Sequence, residues 1–118
     1  MRSAQHVDTG ACERSDEALA RAFTLLGKRW TGVVLGSLRP GPAGFRELAR
    51  AIGGVSDSVL SDRLVELTES GLVSRTVDPG PPVAVSYALT EHGEALIPAL
   101  THLAEWAQSH LPPPSDSG

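Results

Sequence analysis

The stretch GVSDSVLSDRLVELTESGLVSR, residues 54–75, concentrates hydrogen-bonding side chains at helical spacing. Ser56, Ser58 and Ser61 can each donate and accept, Asp57, Asp62, Glu66 and Glu69 only accept, and Arg63 and Arg75 only donate. Such a set can recognise a polar surface; it does not make or break bonds. The residue types that catalysis usually needs are elsewhere and poorly spaced. His6, His92, His102 and His110 include no pair four apart on a helix, so a metal site is not expected. His102 and Glu105 share one helical face, but a single pair is not a site. GPAG and GVSDS are turn chemistry and do not form a phosphate loop after a strand. Neither an enzyme nor a cofactor is expected. The lone Cys12 cannot form an internal disulfide.

These side chains need a scaffold, and the apolar spacing describes one. Ser15 is placed to cap a first helix carrying Asp16 and Glu17 in its first turn and Leu19, Ala22, Phe23 and Leu26 on one face, with Gly27 as its stop. KRWTGVVLGSL reads as a second helix with Trp30, Val34 and Leu38 inward. RPGPAG is a loop, because two prolines and two glycines oppose regular structure. Phe45, Leu48, Ala49 and Ile52 mark a third helix, and Gly53 and Gly54 a sharp turn. Ser56 then caps a fourth helix whose inner face is Leu60, Leu64 and Leu67 and whose end is Gly71. Beyond it the period falls to two. LVSRTV and the alternation of Val83, Val85, Tyr87 and Leu89 make two strands joined by DPGPP. Thr90 caps a last helix with the stripe Leu96, Leu100, Leu103 and Ala107, widened by Ile97, Ala104 and Trp106 and bent at Pro98. Two helices joined by a tight turn and followed by a hairpin give a mainly α fold with a small β-hairpin wing, a winged helix-turn-helix. The expected organisation is a flexible arm at 1–14, the domain at 15–110 and a disordered tail at 111–118.

The 118 residues suit one domain, and 41 % apolar residues are enough for a core. No apolar run reaches a membrane span of about 18 residues, and the N-terminus lacks the apolar centre of a signal peptide. A cytoplasmic protein with no membrane partner is the expectation. The net charge of −4 is unpromising for a partner as anionic as nucleic acid, but the distribution is informative. All ten Lys and Arg lie at or before Arg75, whereas residues 76–118 hold five acids and no base. Any anion-binding face must come from the first two-thirds of the chain.

LLGKRW, GPAGFRELARAIGGVSDSVLSDRLVELTESGLVSR, PPVAVSYALTEHGEAL and LAEWAQSH, in that order, resemble the HxlR-type transcriptional regulators, winged-helix proteins related to the broader MarR group. The resemblance runs from Cys12 to His110. It implies a sequence-specific regulator of double-stranded DNA that is a homodimer, held through its N- and C-terminal helices on a palindromic operator. The width of the last helix's apolar stripe supports such a dimer, with Leu19, Phe23, Leu96, Leu100, Leu103 and Trp106 as candidate interface residues. Three departures stand out. Glu13 follows Cys12 where relatives often have proline, Ala84 replaces a frequent basic residue of the wing beside Asp78, and Ser58 replaces a long polar residue of the recognition helix.

Under this reading the fourth helix, about 57–70, enters the major groove and the 73–89 hairpin is the wing. A wheel with the three leucines inward turns Ser58, Asp62, Val65 and Glu69 outward, flanked by Val59, Ser61 and Glu66. Only the first half of such a helix normally meets base edges, which leaves Ser58, Val59, Ser61 and Asp62 as readers. Asp62 has three open readings: it accepts from a cytosine, it is held by a neighbouring arginine, or it lowers affinity. Phosphate contacts fall to Lys28, Arg29, Arg46, Arg50, Arg63 and Arg75, with the helix start at Ser56 as an added anion site. Arg63 can instead pair with Glu66, and Arg46 with a nearby acid. Cys12, with Arg14 close by, is either a redox sensor or an inert packed thiol. A small-molecule or oxidant effector is a further candidate partner, with apolar residues near Trp30, Tyr87 and Trp106 as a candidate cavity. The base-poor wing and acidic helix also motivate an alternative, a winged-helix protein that associates with another regulator without binding DNA itself.

Overall fold

Leu60, Leu64 and Leu67 lie at the centre of the molecule, none more than 1 % exposed. In this computed structural model, residues 9–113 are described, with side chains from residue 13 onward. The elements are α1 (Thr9–Leu26), α2 (Thr31–Ser37), α3 (Phe45–Ile52), α4 (Asp57–Glu69), β1 (Val73–Asp78), β2 (Ala84–Leu89) and α5 (Glu91–His110). The three leucines repeat on one face of α4 and close on Val34 and Leu35 of α2, the Leu38 that follows α2, Leu48 of α3 and Val73 of β1. Phe45, Ala49, Ile52, Leu96 and Leu100 pack around this centre and are only partly buried. Burying each large aliphatic side chain contributes about 1.5–3 kcal/mol, so the helix-turn-helix and the start of the hairpin share one core.

The ends of α4 are held by specific bonds. At the start, the Ser56 hydroxyl accepts from the Val59 amide at 3.1 Å. At the end, Gly71 adopts φ 82, a conformation that glycine tolerates. The Gly71 amide then donates to the Thr68 carbonyl and the Leu72 amide to the Leu67 carbonyl, the paired bonds of a Schellman motif. β1 leaves directly from this turn. β1 and β2 pair antiparallel from Val73↔Leu89 to Asp78↔Ala84. Thr90 ties α5 to the same corner: its hydroxyl donates to the Gly71 carbonyl at 2.6 Å and accepts from the Gly93 amide at 3.1 Å. Gly93 is buried, and a β-carbon there would stand 2.2 Å from the Leu72 carbonyl oxygen.

Three expectations are corrected. Ser15 does not cap the first helix, since α1 runs from Thr9 and residues 9–14, expected in an arm, are helical. Polar composition does not by itself break a helix, and no proline or interior glycine separates Ala11 from Leu26. Residues 1–8 and 114–118 lie outside the described residues, as do most of the expected arm and tail. Trp30 is not an inward residue of α2. It precedes that helix in the left-handed region, φ 81, half-buried, with the Arg29 guanidinium 4.8 Å from its ring centre. Finally, the loop RPGPAG is not wholly irregular. Ala43 exchanges both backbone hydrogen bonds with Tyr87 on the edge of β2, at 2.9 and 2.8 Å. Gly44 follows as the cap of α3, its amide donating to the Glu47 carboxylate.

The end of α1 is joined to α4 by charge. Lys28 Nζ lies 2.6 Å from Glu66 Oε2, and Arg63 Nη1 lies 3.4 Å from Glu66 Oε1. The hydrogen bond from Lys28, helped by the charge of Arg63, holds the Glu66 carboxyl below its ordinary value of 4.5 against a smaller opposing effect of burial.

Two outcomes follow from this architecture. Gly93→Ala forces its methyl into the Leu72 carbonyl, so thermal melts should show a loss of about 2 kcal/mol or more, and an unchanged melting temperature would contradict the close approach. Glu66 is depressed in the native state, so its contribution to stability is present above 4.5 and is lost as pH falls through the native value. Urea unfolding should therefore find Glu66→Gln less stable than the parent at roughly neutral pH, with the difference shrinking as pH is taken progressively below 4.5; a difference that stays the same size as the pH falls would count against the bridge.

Candidate nucleic-acid interface

With its leucine face in the core, α4 turns Ser58, Ser61, Asp62, Val65 and Glu69 to solvent, with Val59 and Glu66 half-covered at the flanks. The wheel drawn from the sequence places Ser58, Asp62, Val65 and Glu69 outward; Ser61, placed there at the flank, is exposed as well. Ser58, Ser61 and Asp62 lie within the first two turns of α4, at the end that emerges from the Gly53–Gly54 turn. Both glycines have positive φ, 70 and 80, which lets α3 and α4 meet at a tight corner.

The six expected phosphate cations divide into two groups. Lys28 and Arg63 share Glu66, and Arg46 Nη2 donates to Asp57 Oδ2 at 2.7 Å while its guanidinium also lies over the Phe45 ring. Arg63 is turned inward: only 14 % of its side chain is exposed, and its Nε is buried with no hydrogen-bond partner among the described residues. Its place flanking the leucine stripe makes it part of the packing, so it is poorly sited to reach a phosphate. The pair Arg46–Asp57 is exposed on both sides, 63 % and 65 %. Exposed pairs are worth only about 0–1 kcal/mol, so Arg46 can exchange partners. Arg29, Arg50 and Arg75 are exposed and form no ion pair among the described residues. Arg75, on β1, borders a groove of about 240 Å³ between α4 and the hairpin, together with Leu64, Val65, Thr68, Glu69 and Tyr87. That places a free cation at the junction of helix and wing. The tip of the hairpin has no cation. Val77 and Val83 are exposed there, and Asp78 Oδ1 accepts from the Gly80 amide.

The expected interface residues also divide. Leu19 and Phe23 on α1 are 57 % and 54 % exposed, and Leu103 and Trp106 on α5 are 46 % and 50 % exposed. Leu96 and Leu100 instead pack partly on the protomer's own core. Cys12 falls within α1, and its side chain lies outside the described residues. Trp30, Tyr87 and Trp106 sit apart, on the α1–α2 turn, on β2 against α4, and on α5 stacked with His110. Among the described residues, no group of three or more His, Cys, Asp or Glu is placed to hold a metal, and no helix is long and apolar enough to cross a membrane.

Sequence spacing had given no sign of two of these arrangements. The Lys28–Glu66 pair joins residues 38 apart and the Arg46–Asp57 pair residues 11 apart. Neither separation is the three or four residues that bring side chains together on one helix, so only the tertiary structure brings them together. The i,i+3 pair of Arg63 with Glu66 is local and follows the helical spacing.

This arrangement of helices and hairpin recurs in proteins of known function. The HxlR-like helix-turn-helix family matches residues 25–115. The HTH-type transcriptional regulator YodB of Bacillus subtilis is 41 % identical over 92 residues, 78 % of this chain and 82 % of its own length. Reduced YodB superposes with a TM-score of 0.75 at 39 % identity, over 83 % of this chain and 96 % of that one. Quinone-bound YodB superposes with a TM-score of 0.69 at 36 % identity, over 79 % and 98 %. With the family match covering most of the chain and its two characteristic parts, the tight helix pair and the wing, both in place, the chain belongs to the HxlR-like helix-turn-helix family of DNA-binding transcriptional regulators.

Proposed function

We propose that this regulator acts in the cytoplasm as a homodimer on a palindromic operator, with α4 of each protomer in a major groove and the β1–β2 hairpin beside it as the wing. The observation that carries this reading is the division of α4 into a leucine face locked in the core and a short polar face turned outward at its N-terminal half. Ser58, Val59, Ser61 and Asp62 then face base edges, and the half-sites lie about one helical turn, roughly 34–36 Å, apart. Arg29, Arg50 and Arg75 are the main phosphate contacts. Arg46 and Lys28 add a weaker pull on the backbone while they stay paired with Asp57 and Glu66, and the unbonded amides at the start of α4, beside Ser56, add a neutral donor. Arg63 supports the helix from behind. With so few free cations, affinity falls only gradually with salt.

The homodimer is supported by the exposed apolar side chains of the first and last helices. Leu19 and Phe23 on α1 and Leu103 and Trp106 on α5 are about half exposed, which is costly in water unless a second copy covers them. An effector belongs to the same reading, because the similar protein YodB has been solved with quinone bound. Cys12 is the candidate thiol through which an oxidant or electrophile would act.

Two measurements test this. Arg50→Ala combined with Arg75→Ala should weaken binding to operator and random duplex alike and reduce the slope of log affinity against log salt by about 2, one for each phosphate contact. A loss confined to one sequence, or an unchanged slope, would remove these residues from the phosphate set; no binding by the parent protein to any duplex at low salt would remove the DNA reading itself. Leu103→Glu combined with Trp106→Glu should turn the dimer into a folded monomer in light scattering and abolish tight operator binding. A dimer that survives both charges would place the interface elsewhere.

A further inference from the structure

We infer that Asp62 is a specificity-determining residue that selects a cytosine in each half-site by accepting a hydrogen bond from the base's N4 amino group. This rests on the placement of α4 in the major groove proposed above. Asp62 is exposed on the reading face, one residue after Ser61 and four after Ser58. Among the described residues its carboxylate has no hydrogen bond and no ion pair. The other two acids of the first three turns are engaged, Asp57 by Arg46 and Glu66 by Lys28 and Arg63. Its sequence neighbour Arg63 is held at Glu66 with 14 % of its side chain exposed, so it is not available to neutralise Asp62 when DNA arrives. The carboxylate therefore enters the groove as a bare acceptor.

A bare acceptor distinguishes the bases sharply. In the major groove guanine shows two acceptors, N7 and O6, and thymine shows the acceptor O4. Adenine shows a donor at N6 flanked on both sides by acceptors, its own N7 and the O4 of the paired thymine, while the cytosine N4 donor has an acceptor on one side only, the O6 of the paired guanine. A carboxylate can only accept, so cytosine meets it, adenine meets it with opposition from both sides, and guanine and thymine repel it. Ser58 and Ser61 tolerate donors and acceptors equally and leave the choice at this position to Asp62. The same charge disfavours unspecific association. Near phosphates and out of water it is costly wherever no donor faces it. The acid thus lowers affinity for DNA in general and restores it at one base.

Duplexes selected from a random pool by the full-length protein, followed by affinity measurements on the selected operator, decide the matter. The parent should select a cytosine at one symmetric position of each half-site and lose about tenfold per half-site when that C·G pair becomes T·A. Asp62→Ala should bind the two operators equally and bind random duplex more tightly than the parent. Asp62→Asn should admit adenine at the position, because a side-chain amide bonds N6 and N7 together. If Asp62→Ala keeps the parent's base preference at every position and Asp62→Asn gains no adenine, Asp62 does not read, although the DNA reading of the protein stands. If the parent selects no sequence and binds no duplex, both readings fall together.

Discussion

Burial of Leu60, Leu64 and Leu67 is the constraint on which the rest of the molecule depends. A helix with three leucines at most 1 % exposed on one side has no freedom to rotate about its axis. Removing one such side chain costs about 2–5 kcal/mol, a large share of the about 5–15 kcal/mol that holds a domain together. The direction of Ser58, Ser61 and Asp62 is therefore set by the core and not by any contact of their own. The proposed reading demands this, because a side chain that could drift would lose its match to a base edge.

Rotation is only one freedom; the ends of α4 remove the others. Ser56 fixes where the helix begins. At the other end, Gly71, Leu72, Thr90 and Gly93 form one corner in which α4, β1 and α5 meet through backbone bonds. The small side of Gly93 lets α5 approach the Leu72 carbonyl, so the last helix is braced against the start of the wing. Ala43 binds the opposite edge of β2 and carries the loop before α3 into the same sheet. The wing is consequently anchored at its base corner and along the outer edge of β2, with Arg75 at the join and the cation-free tip beyond. A displacement of α1 has a route into this unit through Lys28 and Glu66, the charged link between the end of α1 and α4.

Periodic features were legible in the sequence, and features made by a single residue or a long-range contact were not. The apolar spacing located the helices and the hairpin, and Ser56, Gly71 and Thr90 marked real ends because a cap is a local interaction among residues three or four apart. Ser15 failed as a cap for a related reason: a residue able to cap is equally able to sit inside a helix, and nothing upstream stopped α1 at that point. Trp30 adopts a left-handed backbone that its residue type disfavours, so no propensity argument could find it. Ala43 pairs with the sheet alone and leaves no alternation. At the candidate interface the outward residues of α4 were readable from the wheel, since one face follows once the other is known. The state of the cations was not, because Lys28–Glu66 and Arg46–Asp57 are made by tertiary packing.

Those pairings change how an acidic chain meets a polyanion. Asp57 and Glu66 looked like obstacles on a recognition helix, yet each is neutralised by a cation from another element. The exchange also consumes the cations, so the number of basic residues overstates the grip on phosphate. What is left is a face with little net charge whose few free arginines lie around it, on the α1–α2 turn, at the end of α3 and on β1. Weak general attraction makes Asp62, the unpaired carboxylate in the N-terminal half of α4, more influential. On a strongly basic surface one Asp would be overwhelmed, whereas in the proposed docking Asp62 is the main charge at the N-terminal half of α4, and the balance between general affinity and base selection shifts toward selection.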